Sequence, residues 1–213
     1  SFMEEKSIEI PQGKMTYLED GSGPPLVFLH GALATARAYI PLIELLGRSF
    51  RVIAPTHPGH GDSFILPKEW KFEDFGTAYH IFFEALQLTH FSVVGHSLGG
   101  AVGFLLASQG YASSLVVMDS IGLPIAFSTK NYLQTLMREG KAMLAGIKER
   151  QQFTKMLSSS GTLLYSGIKH PENVSWLRSH GPILDLHELL VSLTCHVDLL
   201  WGEDDAIVPV SVG

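Results

Sequence analysis

The segment Gly95-His96-Ser97-Leu98-Gly99 sets a serine between two glycines in the pattern G-x-S-x-G. A serine hydroxyl is a weak nucleophile unless a base takes its proton as it attacks, and a sharp strand-to-helix turn is one way to present it. The pattern is short and arises easily by chance in a chain with 21 glycines, so its flanks decide. Residues 91–94 read as a strand and 100–108 as an apolar helix, which is the context such a turn requires. Gly95 and Gly99 remove β-carbons that would collide across it. The competing reading is a glycine-rich turn with an incidental serine.

The chemistry this serine would perform is acyl transfer. Its tetrahedral intermediate needs two preorganised N–H donors about 3 Å from the developing oxyanion. One is the backbone N–H of Leu98, directly after the nucleophile, and the other comes from the loop after an earlier strand. His30-Gly31 directly follow the apolar run 26–29, and Ala32 is the best second donor because Gly31 lets the backbone turn inward. The loop also reads as an ordinary strand-ending turn, and His30 itself as structural, hydrogen-bonded in the core.

The elements that must position these residues follow from the apolar pattern. Residues 7–10 and 14–19 flank the turn signal Pro11-Gln12-Gly13 and form a hairpin. Short apolar runs at 26–29, 50–54, 91–94 and 115–118 suit strands buried on both faces. Helical spacing appears at 36–46, 75–88 and 101–108. The alternation predicts parallel strands joined by right-handed crossovers in a doubly wound sheet. From about 122 to 193 it stops. Residues 129–155 are a long polar-rich helical stretch with Leu133, Leu136, Met137 and Leu144 as its stripe, and strand character returns at 197–201. The interruption is either an ordinary helix pair or a lid inserted between two strands.

The 213 residues suit one domain, and a hydrophobic fraction of 46% with 17% charged residues provides a substantial core. A net charge of −6 argues against a nucleic-acid partner. No stretch has the roughly 18–20 apolar residues of a membrane span, and no basic-then-apolar leader opens the chain. Ser1-Phe2-Met3 has the look of a tag remnant before an initiator methionine. A single cysteine, Cys195, excludes an internal disulfide and fits a reducing compartment, so a cytoplasmic protein is the default expectation. The histidines lack ligand spacing, with His57 and His60 in a Pro/Gly loop, so no metal or cofactor is expected.

Four segments taken together resemble the α/β-hydrolase superfamily in its lid-bearing, serine-esterase-like branch. They are Phe28-Leu29-His30-Gly31, Pro58-Gly59-His60-Gly61-Asp62-Ser63, Gly95-His96-Ser97-Leu98-Gly99-Gly100, and Leu200-Trp201-Gly202-Glu203-Asp204-Asp205-Ala206-Ile207-Val208-Pro209. The resemblance implies an α/β-hydrolase fold: a mostly parallel doubly wound sheet from core segments 1–121 and 194–213, with a helical lid at 122–193. It places the catalytic acid at Asp205, whose role is to hold a histidine tautomer and stabilise the imidazolium. Asp204 is adjacent, but the spacing to Pro209 favours Asp205; Asp119 is a weaker alternative, since some members carry the acid after the preceding strand. The implied substrate is a small or medium apolar ester. Lid residues such as Met137, Phe153, Leu163 and Trp176 either line its pocket or pack the lid onto the core. Thioesterase, lactonase, C–C bond hydrolase, acyltransferase and cofactor-free peroxidase chemistry share this core. A serine nucleophile argues against dehalogenase or epoxide hydrolase chemistry.

The sequence departs from the family in three ways. Thr56 replaces a usual aspartate, at the cost of a structural hydrogen bond. His196 and Asp198 replace a proline and an aliphatic residue, so Asp198 should sit exposed or pair, with His196 as a partner. Finally, the family carries its histidine after the acid, whereas all ten histidines here precede Asp205. The expectation is therefore a chain without the final strand, the histidine loop and the closing helix, and impaired by that loss. The explanations are truncation, a non-catalytic ligand-binding protein of this fold, or a substitute histidine such as His180 or His187 or one from a partner chain. An uncovered sheet edge would favour a homodimer.

Overall fold

A computed structural model describes residues 3–122, 170–180 and 184–203. The described strands are β1 (Glu5–Ile10), β2 (Gly13–Asp20), β3 (Pro25–Leu29), β4 (Arg51–Pro55), β5 (Phe91–His96), β6 (Ala112–Met118) and β7 (His196–Leu200). They form one sheet in the order β1-β2-β4-β3-β5-β6-β7. β1 and β2 are the expected hairpin, and β2 also runs antiparallel to β4. From β4 to β7 every pairing is parallel.

Strand residues alternate between two cores, as the period of two requires. Leu26 and Phe28 of β3 and Val52 and Ala54 of β4 face one side, with Ile43 of α1 (Ile40–Leu46). Val27, Leu29, Ile53, Val93, Leu115 and Val117 face the other, with α2 (Glu73–Ala85) and α3 (Leu98–Ser108). The strands β3, β4 and β5 are thus covered on both faces, while β7 is largely exposed among the described residues. α3 is apolar all round and buried from Leu98 to Ala107, as befits a helix enclosed by other elements. The chain moves outward from β3 to β4 and then crosses back to β5. Ligand crevices of open α/β sheets lie at such a reversal, beyond the carboxyl ends of the strands, and the 30–32 loop and Ser97 both lie there.

Several boundaries differ from the sequence expectation for local reasons. The helix expected over 36–46 is a 3-10 turn at Ala36–Tyr39 followed by α1, because Pro41 belongs in the first turn of an α-helix. α2 starts at Glu73, where Glu73 and Asp74 suit the helix N-terminus, and ends at Ala85 before Gln87 takes φ +56°. β6 begins at Ala112, through the polar Ser113-Ser114 that masks its strand character. β7 is the edge strand among the described residues and starts one residue early. Its Asp198 is exposed and pairs with His196 at 3.1 Å, as the side-chain spacing along a strand allows.

Within the expected lid, α4 (Pro171–His180) and α5 (His187–Val191) are described. α4 is fastened to the core. His170 Nε2 donates to Gly61 O at 2.7 Å, and the Trp176 indole N–H donates to Trp70 O at 2.7 Å. Trp176 is buried edge-on against Phe75, so of the expected pocket residues this one packs α4 onto the core. Met137, Phe153 and Leu163 lie outside the described residues.

Candidate active site

Ser97 is the single residue between β5 and α3. Its backbone takes φ +53°, ψ −115°, which a residue with a side chain adopts only when its surroundings enforce it. The enforcement is visible. Ser97 N–H donates to Met118 O on β6 at 2.9 Å, and Ser97 O accepts from Gly100 N–H at 3.0 Å. A β-carbon on Gly95 would stand 2.3 Å from Gly99 O, and one on Gly99 would stand 2.2 Å from Leu29 O. The two glycines therefore let the turn close on itself and against the end of β3.

The loop after β3 is held just as firmly. Gly31 O accepts from His30 Nδ1–H at 2.7 Å and Ala34 N–H at 3.3 Å. That carbonyl shares a peptide plane with Ala32 N–H, which in a trans peptide points the opposite way. Gly31 N–H donates to Tyr39 Oη at 3.2 Å, and Leu33 N–H to His60 Nε2 at 3.1 Å. Among the described residues, the N–H groups of Ala32 and Leu98 donate to no acceptor. These are the two expected oxyanion donors, one on each side of the contact between β3 and the turn.

His30, His57 and His60 form a buried cluster behind this loop. His30 Nε2 accepts from His57 N–H at 2.9 Å, and His57 Nε2–H donates to His30 O at 2.8 Å. His57 Nδ1 accepts from the Tyr79 hydroxyl at 2.6 Å. His60 Nδ1–H donates to Pro58 O at 3.1 Å, while Asn173 Nδ2 approaches its Nε2 at 2.7 Å. Burial is the main cause that keeps all three neutral, holding His30 well below the ordinary range and pushing His57 down to about 3 and His60 to about 4. Both nitrogens of each ring are engaged, so the cluster shapes the loop and takes no proton.

Thr56 Oγ1 is buried without a hydrogen-bond partner among the described residues, in line with the missing aspartate. Asp205 and Asp204 lie outside the described residues. Asp119, the alternative acid, takes φ +45° at the end of β6, and its Oδ1 accepts from Gly202 N–H at 2.7 Å. No hydrogen bond joins a histidine to the Ser97 hydroxyl among the described residues. The candidate substitute His180 stacks on Trp176, with its Nδ1 3.0 Å from Trp176 O. A mostly apolar cavity of about 380 Å³ lies between α3, α5 and β7, lined by Phe104, Ser120, Leu190, Val197 and Trp201 among others, with none of Ser97, Leu98 or Ala32 in its lining. Ser120 connects it to the turn, its hydroxyl lying 3.3 Å from Ser97 O. No helix among the described residues is long and apolar enough to cross a membrane.

Comparison with known proteins agrees with this architecture. A family profile described as the alpha/beta hydrolase fold matches residues 24–136, just over half of the chain. The chain is 35% identical over 86 residues to (E)-2-((N-methylformamido)methylene)succinate hydrolase of Acinetobacter baylyi, covering 40% of this chain and 33% of that protein. It is 29% identical over 212 residues to 2-hydroxy-6-oxo-6-(2'-aminophenyl)hexa-2,4-dienoic acid hydrolase of Metapseudomonas resinovorans, covering 91% of this chain and 72% of that protein. A hydrolase from Pseudomonas aeruginosa superposes with a TM-score of 0.78 at 19% identity, covering 99% of this chain and 84% of that one, a likeness of fold alone. With the profile spanning β3 to β6, the loop after β3 and the Ser97 turn, the chain belongs to the alpha/beta hydrolase fold family.

Proposed function

We propose that the protein is a serine hydrolase, a carboxylesterase for small or medium apolar esters that works through an acyl-enzyme on Ser97. The observation that carries this reading is a serine held at φ +53° together with two N–H groups, those of Ala32 and Leu98, that donate to no acceptor among the described residues. Ser97 Oγ attacks the ester carbonyl carbon, and in a complete triad of the family its proton would pass to a histidine that follows the acid, a residue not among the ten histidines of this sequence. The two N–H groups receive the oxyanion, and the alcohol leaves with that proton. Water, deprotonated by the same histidine, then releases the acid.

All ten histidines precede Asp205, and the described ones make no hydrogen bond to Ser97 Oγ. In a polypeptide of these 213 residues, Ser97 is therefore expected to react slowly and to keep its acyl group, since nothing activates the water. The test is intact-mass analysis after incubation with p-nitrophenyl acetate, butyrate and octanoate. A butyryl or acetyl increment that is lost in Ser97→Ala supports the proposal. No acyl increment at any chain length, with imidazole supplied as base, overturns it.

A second reading is favoured by the Metapseudomonas relative, whose named substrate is an oxo-dienoic acid and whose similarity spans 91% of this chain. Turnover of such an acid, with p-nitrophenyl esters leaving no acyl increment, selects it over the esterase.

A further inference from the structure

Tyr39 lies at the end of the 3-10 turn, and its side chain reaches back between the loop after β3 and the Ser97 turn. Its ring packs on Phe28 at 4.9 Å between centroids. Its hydroxyl stands 3.2 Å from Gly31 N and 2.7 Å from His96 Nδ1. Gly31 N–H donates to Oη, and the phenol proton or the His96 Nδ1 proton makes the second bond according to the imidazole tautomer. Burial holds the phenol above its ordinary range and so keeps its proton in place.

This one hydroxyl joins the residue before Ala32 to the residue before Ser97. The two oxyanion donors belong to different segments, Ala32 to the loop and Leu98 to the turn, and their spacing depends on how those segments are fastened. The approach is close. A β-carbon on Gly31 would stand 2.8 Å from His96 Nδ1 and 3.2 Å from Tyr39 Oη. The bond also occupies Gly31 N–H, leaving the next amide, that of Ala32, as the uncommitted donor.

We propose that Tyr39 is a positioning residue for the oxyanion hole, its hydroxyl fixing the Ala32 N–H relative to the Leu98 N–H through Gly31 and His96. The inference rests on Ser97 being the nucleophile. Loss of the hydroxyl lets the loop drift from the turn, and misplaced donors weaken stabilisation of the oxyanion more than binding of the ground state.

The experiment is the reaction of the 213-residue chain with an alkyl fluorophosphonate in the presence of imidazole. Ser97 Oγ bonds to phosphorus, fluoride leaves, and imidazole takes the serine proton, while a phosphoryl oxygen enters the hole. In Tyr39→Phe, the first-order inactivation constant is expected to fall at least tenfold while the half-saturating probe concentration stays within twofold. The amide exchange of Gly31 is expected to rise at least tenfold. Thermal melts confirm folding, and His96→Leu cuts the same tie from its other end should Tyr39→Phe fold poorly. An inactivation constant within twofold of the parent overturns the inference and leaves the Ser97 reading standing. A parent chain that fails to react at Ser97 overturns both.

Discussion

The Oδ1 atom of Asp119, just past β6, accepts a hydrogen bond from Gly202 N–H, just past β7, at 2.7 Å. Asp119 N–H donates in turn to Leu200 O at 3.0 Å, so one residue fastens the last two described strands at their carboxyl ends. The turn fastened this way leads directly into Asp204-Asp205. Asp119 also holds φ +45°, a conformation asparagine tolerates and alanine resists. Asp119→Asn is expected to stay within about 0.5 kcal/mol of the parent in urea unfolding, and Asp119→Ala to lose about 1–2 kcal/mol. Equal losses in the two variants would contradict the fastening role.

Gly99 faces backbone on its crowded side. Its missing β-carbon would meet the carbonyls of Leu29 and His30 at 2.2 and 2.7 Å, and neither can move without shifting β3. Gly99→Ala is expected to cost about 2 kcal/mol or more and to abolish reaction at Ser97. Urea midpoints and intact mass check the two effects separately.

The histidine cluster gives the protein an acid-sensitive core. The folded values of His57 and His60, about 3 and about 4, lie below the ordinary 6.5, so below pH 6.5 the unfolded chain binds protons that the folded chain refuses. Stability is full above that value and is lost as pH falls toward the folded ones. Each such histidine contributes a slope of about 1.4 kcal/mol per pH unit in that window. Urea midpoints should therefore drop steeply between pH 7 and pH 5. His57→Gln should be less stable at pH 7 yet show a shallower drop, and an unchanged slope would contradict the assignment.

Trp176 is one of the residues that tie α4 to the core. Trp176→Phe keeps most of the packing against Phe75 but leaves Trp70 O without its indole donor. A loss of about 1–3 kcal/mol is expected in urea unfolding, the usual cost of orphaning a buried polar group. A variant as stable as the parent would show that α4 is held by other contacts.

How far the architecture could be read from the chain depends on the range of the interactions involved. β3 and the Ser97 turn announce themselves locally, through the apolar run at 26–29 and through glycines placed two residues either side of the serine. Ala32 and Leu98 follow from their positions next to those features. Tyr39 has no such mark, because its partner His96 is 57 residues away and contact depends on the sheet bringing β3 beside β5. The start of β6 was hidden for a different reason: Ser92 and Ser114 bond to each other inside the sheet, so polar residues occupy strand positions. Pro41 was a readable signal for the break before α1, overridden by the continuous helical spacing around it.

The central claim is the proposal that Ser97 is a nucleophile for acyl transfer whose hydroxyl is hydrogen-bonded to no histidine among the described residues. The most direct test is the rate of fluorophosphonate addition to the 213-residue chain, followed by intact mass and peptide mapping with and without imidazole. The account predicts a single adduct on Ser97 that forms slowly alone, accelerates with imidazole, and is lost in Ser97→Ala. An adduct that survives Ser97→Ala, or the lack of any imidazole-dependent adduct, would contradict it.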